Sequence, residues 1–272
     1  MMSSFYLADL YQTLRKQGSG ISRIRSVRDL TKMELQDGYS LIVAVDSDGG
    51  IGPRPGDTVP CPPYELGRFA IRVPLLEVLA SGAIPMAAYD MLTLPMDDVG
   101  KEILRGVREE IEAAGLGKDF HISGSTEDNV PTNMTGVGTC VIGLVHEADF
   151  RPGTTAPGDC VVCIGLPKSA PADTVRVNDP EILASRDLLT IQSLPGIHDM
   201  LPVGSHGTGF EMDQMASSAG FTAKPVASFL DLKKSGGPST CVIASMTEDA
   251  FKTLPTHIAS PVNKIGVIQQ GK

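Results

Sequence analysis

Leu41-Ile-Val-Ala-Val-Asp-Ser-Asp-Gly-Gly-Ile-Gly52 joins five consecutive apolar residues to two aspartates and three glycines. A short apolar run bounded by turn formers reads as a buried strand, so residues 41–46 are predicted as one, running straight into an acidic glycine turn. Asp46 and Asp48 are alternate residues of an extended segment and therefore project to one side of it.

Outward from this strand the first half of the chain alternates β and α. Residues 5–17 read as a short helix ended by Gly18-Ser19-Gly20. After a Pro/Gly-rich stretch to Pro63, a helix is predicted from Tyr64 to Ser81, with Pro74 kinking or dividing it and Gly82 as its stop. A strand at 86–95, a helix from Val99 to Ala114 with Ile103, Leu104, Val107 and Ile111 on one stripe, a strand or turn at 121–125 and a long strand at 135–147 follow. The turn-rich segment 149–158 is taken as a domain boundary. Beyond it we expect a strand at 160–166, a helix opened by Asp179-Pro180, a strand at 197–203, a helix from Gly209 to Ala219, a flexible loop at 233–239, a strand at 240–246, a helix at 247–254 and a strand at 264–269. The reading is an α+β, α/β-like chain of two domains, 1–150 and 151–272, without a short-period repeat.

The 272 residues carry 32 acidic and 23 basic side chains, a formal charge of -9. Bulk electrostatic binding of nucleic acid needs a cationic face and is not expected. No apolar run is long enough to span a bilayer, and the first residues lack the layout of a signal peptide, so a soluble, cytoplasmic protein is expected. Five cysteines are an odd count in a long chain, which argues against a disulfide framework. Cys160 and Cys163 form a C-x-x-C, but three apart on a strand they point to opposite faces and read as core thiols. Residues 46–128 hold seven basic and 15 acidic residues, a net charge of -8. Glu102, Glu109, Glu110 and Glu112 account for part of this as a solvated helix face; the rest flank glycines.

The phosphate-cradling signatures are missing. Gly117-Lys118 is followed by Asp119, so there is no Walker A loop, and position 23 is Arg where a Rossmann fingerprint that began at Gly18 needs its third glycine. Ser205-His206 lacks a nucleophile elbow, and the five histidines are scattered singly without zinc spacing. What remains is carboxylates in glycine-rich turns at strand ends: Asp46 and Asp48, and Glu127 and Asp128 in Gly124-Ser125-Thr126-Glu127-Asp128-Asn129. Clustered carboxylate oxygens suit a hard cation such as Mg²⁺, which takes one or two of them plus substrate phosphates. Asp and Gly are equally the commonest turn formers.

Five segments in order, DSDGG, ELGRFAIRVPLLEVLASGAIPMAAYDMLTLP, SGSTEDNVP with TGVGTCVIG, RPGTTAPGDCVVCIGLP and SPVNKIGVI, resemble the superfamily of aminoimidazole ribonucleotide synthetase, thiamine-monophosphate kinase and selenophosphate synthetase. The resemblance implies an N-terminal domain that pairs with its twin around a central dimeric β-barrel, with ATP near the interface. It implies ATP and Mg²⁺ as cofactors, with Asp46 and Asp48 as catalytic metal ligands, Glu77 and Glu127 or Asp128 completing the metal set, and Gly49, Gly50, Gly124, Ser125 and Thr126 at the nucleotide; the Gly18-Ser19-Gly20 turn either closes over the phosphates or is a plain helix end. Arg23, Arg25 and Arg28 either close over the phosphates or are solvated charges. In the second domain, Gly204-Ser205-His206-Gly207 would take the acceptor through backbone N–H groups, His206 being equally readable as structural.

Thr126 stands where the family places its loop acid, and the acids that precede the first strand in thiamine-phosphate kinases have no counterpart at 21–40. Gly-Ser-Thr-Glu-Asp-Asn-x-Pro combined with Leu-Pro-Val-Gly-Ser-x-Gly looks most like the α-ribazole kinase branch, which phosphorylates a riboside in cobalamin assembly. A thiamine-monophosphate kinase-like enzyme, an ATP-dependent cyclase or ligase and a non-catalytic nucleotide-binding paralogue are the alternatives.

Overall fold

Thr139 donates its hydroxyl to the carbonyl of Ala70 at 2.8 Å, and this contact explains how the central helix tolerates a proline. Pro74 has no N–H for the carbonyl four residues back; Thr139 takes that place, and Pro63–Ala80 forms one continuous helix, α1. The computed structural model describes residues 24–35 and 37–271 together with 11, 12, 15 and 16. Those last four are helical, as expected, while the turn at Gly18-Ser19-Gly20 and Arg23 lie outside the described residues.

Thr139 belongs to β8 (Gly136–His146) of a six-stranded sheet. Its other strands are β1 (Ile24–Val27), β2 (Leu30–Glu34), β3 (Tyr39–Gly49), β6 (Ile84–Leu92) and β7 (His121–Thr126), in the order β1-β2-β3-β8-β6-β7. Every pairing is antiparallel except β6 with β7, the pair joined through α2 (Asp98–Ala113) as a parallel pair requires. A parallel two-residue pair, β4 (Ile51–Gly52) with β5 (Val59–Pro60), folds the loop after β3 back on itself. The sheet is open in the single chain.

A second sheet draws only on residues after 159. Its order is β10 (Ile197–Pro202), β12 (Val242–Met246), β9 (Cys160–Ile164), β13 (Val262–Gln269) and β11 (Thr222–Pro225), all antiparallel. Helices α3 (Ser185–Ser193), α4 (Gly207–Ser218) and α5 (Glu248–Thr253) belong to this half. Cys160 packs in the core shared with α1, and Cys163 in the core on the opposite face with Met212 and Met215 of α4, so the C-x-x-C is two buried thiols.

The helix expected from Asp179-Pro180 does not form. Asp179 instead binds Lys168 at 2.6 Å and the backbone N–H of Glu181 at 2.9 Å, closing a turn, and the helix begins at Ser185. The hairpin β1–β2, the short pair β4–β5 and strand β11 were not expected.

One core runs through both halves: Ile71, Leu75, Leu76 and Leu79 of α1 touch it together with Val141 of the first sheet and Val162, Leu188 and Met200 of the second half. Arg72 of α1 is 4% exposed. Its guanidinium donates to Glu110 of α2 at 3.1 Å, to Ser185 Oγ at 2.5 Å, to the carbonyl of Ser239 at 3.0 Å and to that of Leu183. Arg68 binds the other oxygen of Glu110 at 2.7 Å. The helices carrying these groups approach closely because a Cβ on Gly67 would lie 2.0 Å from the Ile103 carbonyl oxygen, and one on Gly106 would lie 2.2 Å from that of Tyr64.

Removing one member of a buried ion pair strands the other charge, so Arg72→Ala should cost about 3–5 kcal/mol in urea denaturation. Gly106→Ala should cost about 1–3 kcal/mol by overpacking. A loss below about 1 kcal/mol for Arg72→Ala would show that the charge network does not hold the two halves together.

Candidate active site

The C-terminal end of β3, the middle of α1 and the start of α4 converge on one cleft of about 1180 Å³ between the two halves. Asp46, Asp48, Glu77 and Glu211 line it, beside Gly204, Ser205 and His206. Each acid arrives for a local reason. Asp46 and Asp48 are alternate residues of β3, opposite Thr139 and Val137 of β8. Glu77 lies one residue past the buried pair Leu75-Leu76 of α1. Glu211 sits one turn above Gly207 in α4, over the loop that starts at Gly204, and its carboxylate accepts from the Gly204 N–H at 3.4 Å.

Burial and mutual repulsion hold these acids toward their protonated forms. Burial raises the Asp46 carboxyl, opposed by the Ser47 N–H and reinforced by Asp29. Burial, then the charge of Asp46, pushes Asp48 to about 6. Glu77, 8% exposed, is raised well above its ordinary range by burial and then by Asp29 and Glu211. Burial brings Glu211 to about 7 despite the Gly204 N–H. Arg28, which also lines the cleft, is already paired with Asp199 at 2.9 Å and with Ser218 at 2.7 Å. Arg25 faces Glu34 at 3.3 Å on the first hairpin. Neither arginine offers a free charge to a phosphate.

The second acidic turn lies elsewhere. Glu127 caps its own loop by accepting from the N–H groups of Asn129 at 2.7 Å and Val130 at 3.1 Å, while Asp128 accepts from Thr126 at 2.8 Å. Gly124, Ser125 and Thr126 form β7 at the sheet edge, where Gly124 is needed because a Cβ would lie 2.1 Å from the Asp90 carbonyl oxygen. None of these five residues lines the cleft. Gly49 borders a separate hollow of about 730 Å³ with Thr93 and Asn133. Gly50, at φ 72°, spends its N–H on Thr135 at 2.9 Å and its carbonyl on Thr58 at 2.8 Å. Gly207, at φ 83°, lies where a Cβ would meet the Leu232 carbonyl oxygen at 2.6 Å.

Asp46, Asp48 and Glu77, named as metal ligands by the resemblance, line the same cleft as the 204–206 loop, and Glu127 and Asp128 do not line it. Among the described residues no three His, Cys, Asp or Glu side chains form a ready-made metal cage. Glu211 was not anticipated, although its spacing of one helical turn from Gly207 was the available signal.

Residues 29–145 match the AIR synthase related protein, N-terminal domain. A selenide, water dikinase of Caldanaerobacter subterraneus subsp. tengcongensis is 35% identical over 104 residues, covering 37% of this chain and 28% of that protein. One from Bordetella bronchiseptica is 23% identical over 179 residues, covering 60% and 50%. The matches thus span half or less of these curated relatives. The structure of AaThiL complexed with AMPPCP and TMP aligns over 98% of this chain and 90% of its own, with a TM-score of 0.62 at 15% identity. This chain has that fold. No helix among the described residues is long and apolar enough to cross a membrane.

A carboxylate whose pKa is raised on folding binds a proton more tightly in the folded than in the unfolded state, so its penalty appears as pH rises between the two values. The acids with lowered pKa, such as Asp57 and Asp97, have completed their opposite contribution by about pH 5. The melting temperature should therefore fall as pH rises from about 5 to 7.5, the interval set by Asp48 near 6 and Glu211 near 7. Glu211→Gln should flatten the upper part of that slope; an unchanged slope would remove Glu211 from the coupled set.

Proposed function

We propose that the protein is an ATP-dependent phosphotransferase that passes the terminal phosphoryl group of ATP to a hydroxyl of a small riboside, α-ribazole being the first acceptor to test. The observation that carries this reading is the concentration of Asp46, Asp48, Glu77 and Glu211 in one cleft, with no ion pair to any of them among the described residues, its lining arginines Arg28 and Arg176 being paired with Asp199 and Glu65. Such a cleft suits a dication that brings an anion with it. The fit to Mg²⁺ is chemical: the donors are hard carboxylate oxygens, and Glu77, 8% exposed, lines the cleft with no ion pair among the described residues. Mg²⁺ takes one or two carboxylates and completes its shell with water and phosphate oxygens, so a preformed cage is not required.

Asp46, Asp48 and Glu77 would hold the metal, which when bound neutralises phosphate charge. Asp46 and Asp48 sit on a strand fixed by eleven register pairs with β8, and Glu77 on the helix bolted by Arg72, so the acids are positioned before ligand arrives, as phosphoryl transfer demands. Gly204, Ser205 and His206, across the cleft at the start of α4, would orient the acceptor. The bound AMPPCP of AaThiL, which shares the fold, supports ATP as the donor, and the two dikinases support phosphoryl chemistry.

We also propose a homodimer. One face of the first sheet is covered by α1; the other carries Val43 and Val45 of β3, Ile142 and Leu144 of β8, and Tyr89 and Met91 of β6, with Val45 67% and Met91 40% exposed. A contiguous apolar sheet face of this kind marks an interaction surface.

Purified protein given ATP, Mg²⁺ and a panel of ribosides should release ADP with at least one of them. Asp46→Asn with Asp48→Asn should abolish that turnover, by more than about 100-fold, while leaving the urea midpoint at neutral pH unchanged or higher. Full activity in the double variant would remove these residues from the mechanism. Ile142→Asp should convert a dimer to a monomer in size-exclusion chromatography with light scattering; a wild type that already elutes as a monomer would end the dimer proposal.

A further inference from the structure

The cleft is lined by more than acids. His206, the residue before the first turn of α4, and Phe210, one turn on, share a helix face, their ring centroids 4.8 Å apart and their planes inclined at 49°. Both line the cleft, and Phe210 is 44% exposed. A half-bare phenyl ring on a cleft wall forfeits burial that other apolar side chains of this chain obtain. The same cleft presents the rings of Pro171 and Pro238. Its volume of about 1180 Å³ exceeds the roughly 300–1,000 Å³ that a single small ligand needs, leaving space for a second ligand beside a nucleotide.

From this geometry we propose that Phe210 forms a shelf on which a planar heteroaromatic ring of the acceptor stacks, with the inclined His206 ring at its edge. The shelf assigns the acceptor to the class of heteroaromatic ribosides and sets it apart from a small inorganic nucleophile, which would leave both rings bare. A face of Phe supplies dispersion and quadrupole attraction to an electron-poor ring, and the imidazole beside it can meet a ring nitrogen with a hydrogen bond. The apolar shelf and the acid cluster lie in one cleft, so a ligand that stacks its ring on α4 can present its sugar hydroxyl toward Asp46, Asp48 and Glu77. The inference rests on the phosphotransferase reading for the word acceptor, and the experiment separates the two.

Benzimidazole riboside is titrated into the full-length protein by calorimetry and by saturation-transfer NMR, with and without AMPPCP and Mg²⁺, using ribose as the ring-free control. Saturation should reach the ring protons first, ribose should not bind, and Phe210→Ala should weaken the riboside about 5- to 100-fold. Phe210→Tyr should retain it, and Phe229→Ala, which alters another exposed ring outside the cleft, should leave it unchanged. Phe210 is partly exposed, so its variants should melt close to wild type. Equal binding by wild type and Phe210→Ala, or no riboside binding while AMPPCP binds, overturns the shelf. Displacement of the riboside by AMPPCP assigns the shelf to the nucleotide's own base and overturns its role for the acceptor. Riboside binding that depends on Phe210 in a protein that does not bind AMPPCP sinks the phosphotransferase reading and leaves a ring-binding site.

Discussion

A guanidinium buried in the middle of a helix is stable only where every donor finds an acceptor and a carboxylate balances its charge. Each of the three Arg72 nitrogens finds an acceptor by reaching across three parts of the chain: Glu110 on α2, Ser185 at the start of α3, and the carbonyls of Leu183 and Ser239. The requirement fixes where α1 lies relative to α2 and to the second half at once. Gly67 and Gly106 permit the approach, and Thr139 on Ala70 ties the same helix to the first sheet. The position of Glu77, and hence the geometry of the acidic cleft, follows from these restraints.

The distribution of charge follows a consistent logic. Basic side chains near the cleft are consumed by structural pairs: Arg28 with Asp199, Arg176 with Glu65, Lys234 with Asp173. Asp46, Asp48, Glu77 and Glu211 have no such ion pairs among the described residues, and burial raises their pKa values, with the charge of Arg28 opposing it only in part at Glu77 and Glu211. A site that neutralised its own acids with lysines would have no use for a metal. The acidity concentrated between residues 46 and 128 includes the exposed face of α2, where Arg105 pairs with Glu102 and Glu109, the buried Glu110 held by Arg68 and Arg72, and the cleft acids Asp46, Asp48 and Glu77.

Local pattern made much of the fold legible. The apolar run 41–45, the stripe of Ile103, Val107 and Ile111, and the segment 135–147 each produced the element expected of them. The hairpin β1–β2 escaped because its residues carry the wrong polarity: Lys32 is fully buried, its ammonium held by Glu147 and lying 4.1 Å over the Phe150 ring. Asp179-Pro180 has the letters of a helix start, yet a salt bridge to Lys168 drew the aspartate into a turn. Glu127 and Asp128 have the letters of a metal loop, and one oxygen of each accepts from the loop's own N–H and hydroxyl groups.

By itself the sequence determined the properties that depend on neighbours in the chain. These are the strands and helices with a clear apolar period, such as the run 41–45 and the stripe of α2, that Asp46 and Asp48 share a side, and that Cys160 and Cys163 face apart. Only the tertiary structure decided which carboxylates meet. Glu77 and Glu211 lie in different halves of the molecule, and each looks like an ordinary helical acid in its own segment. Their proximity comes from the packing of α1 against the second half, a long-range contact that no local periodicity encodes. The same holds for Arg28, whose charge reads as available until Asp199, far along the chain, is found to occupy it.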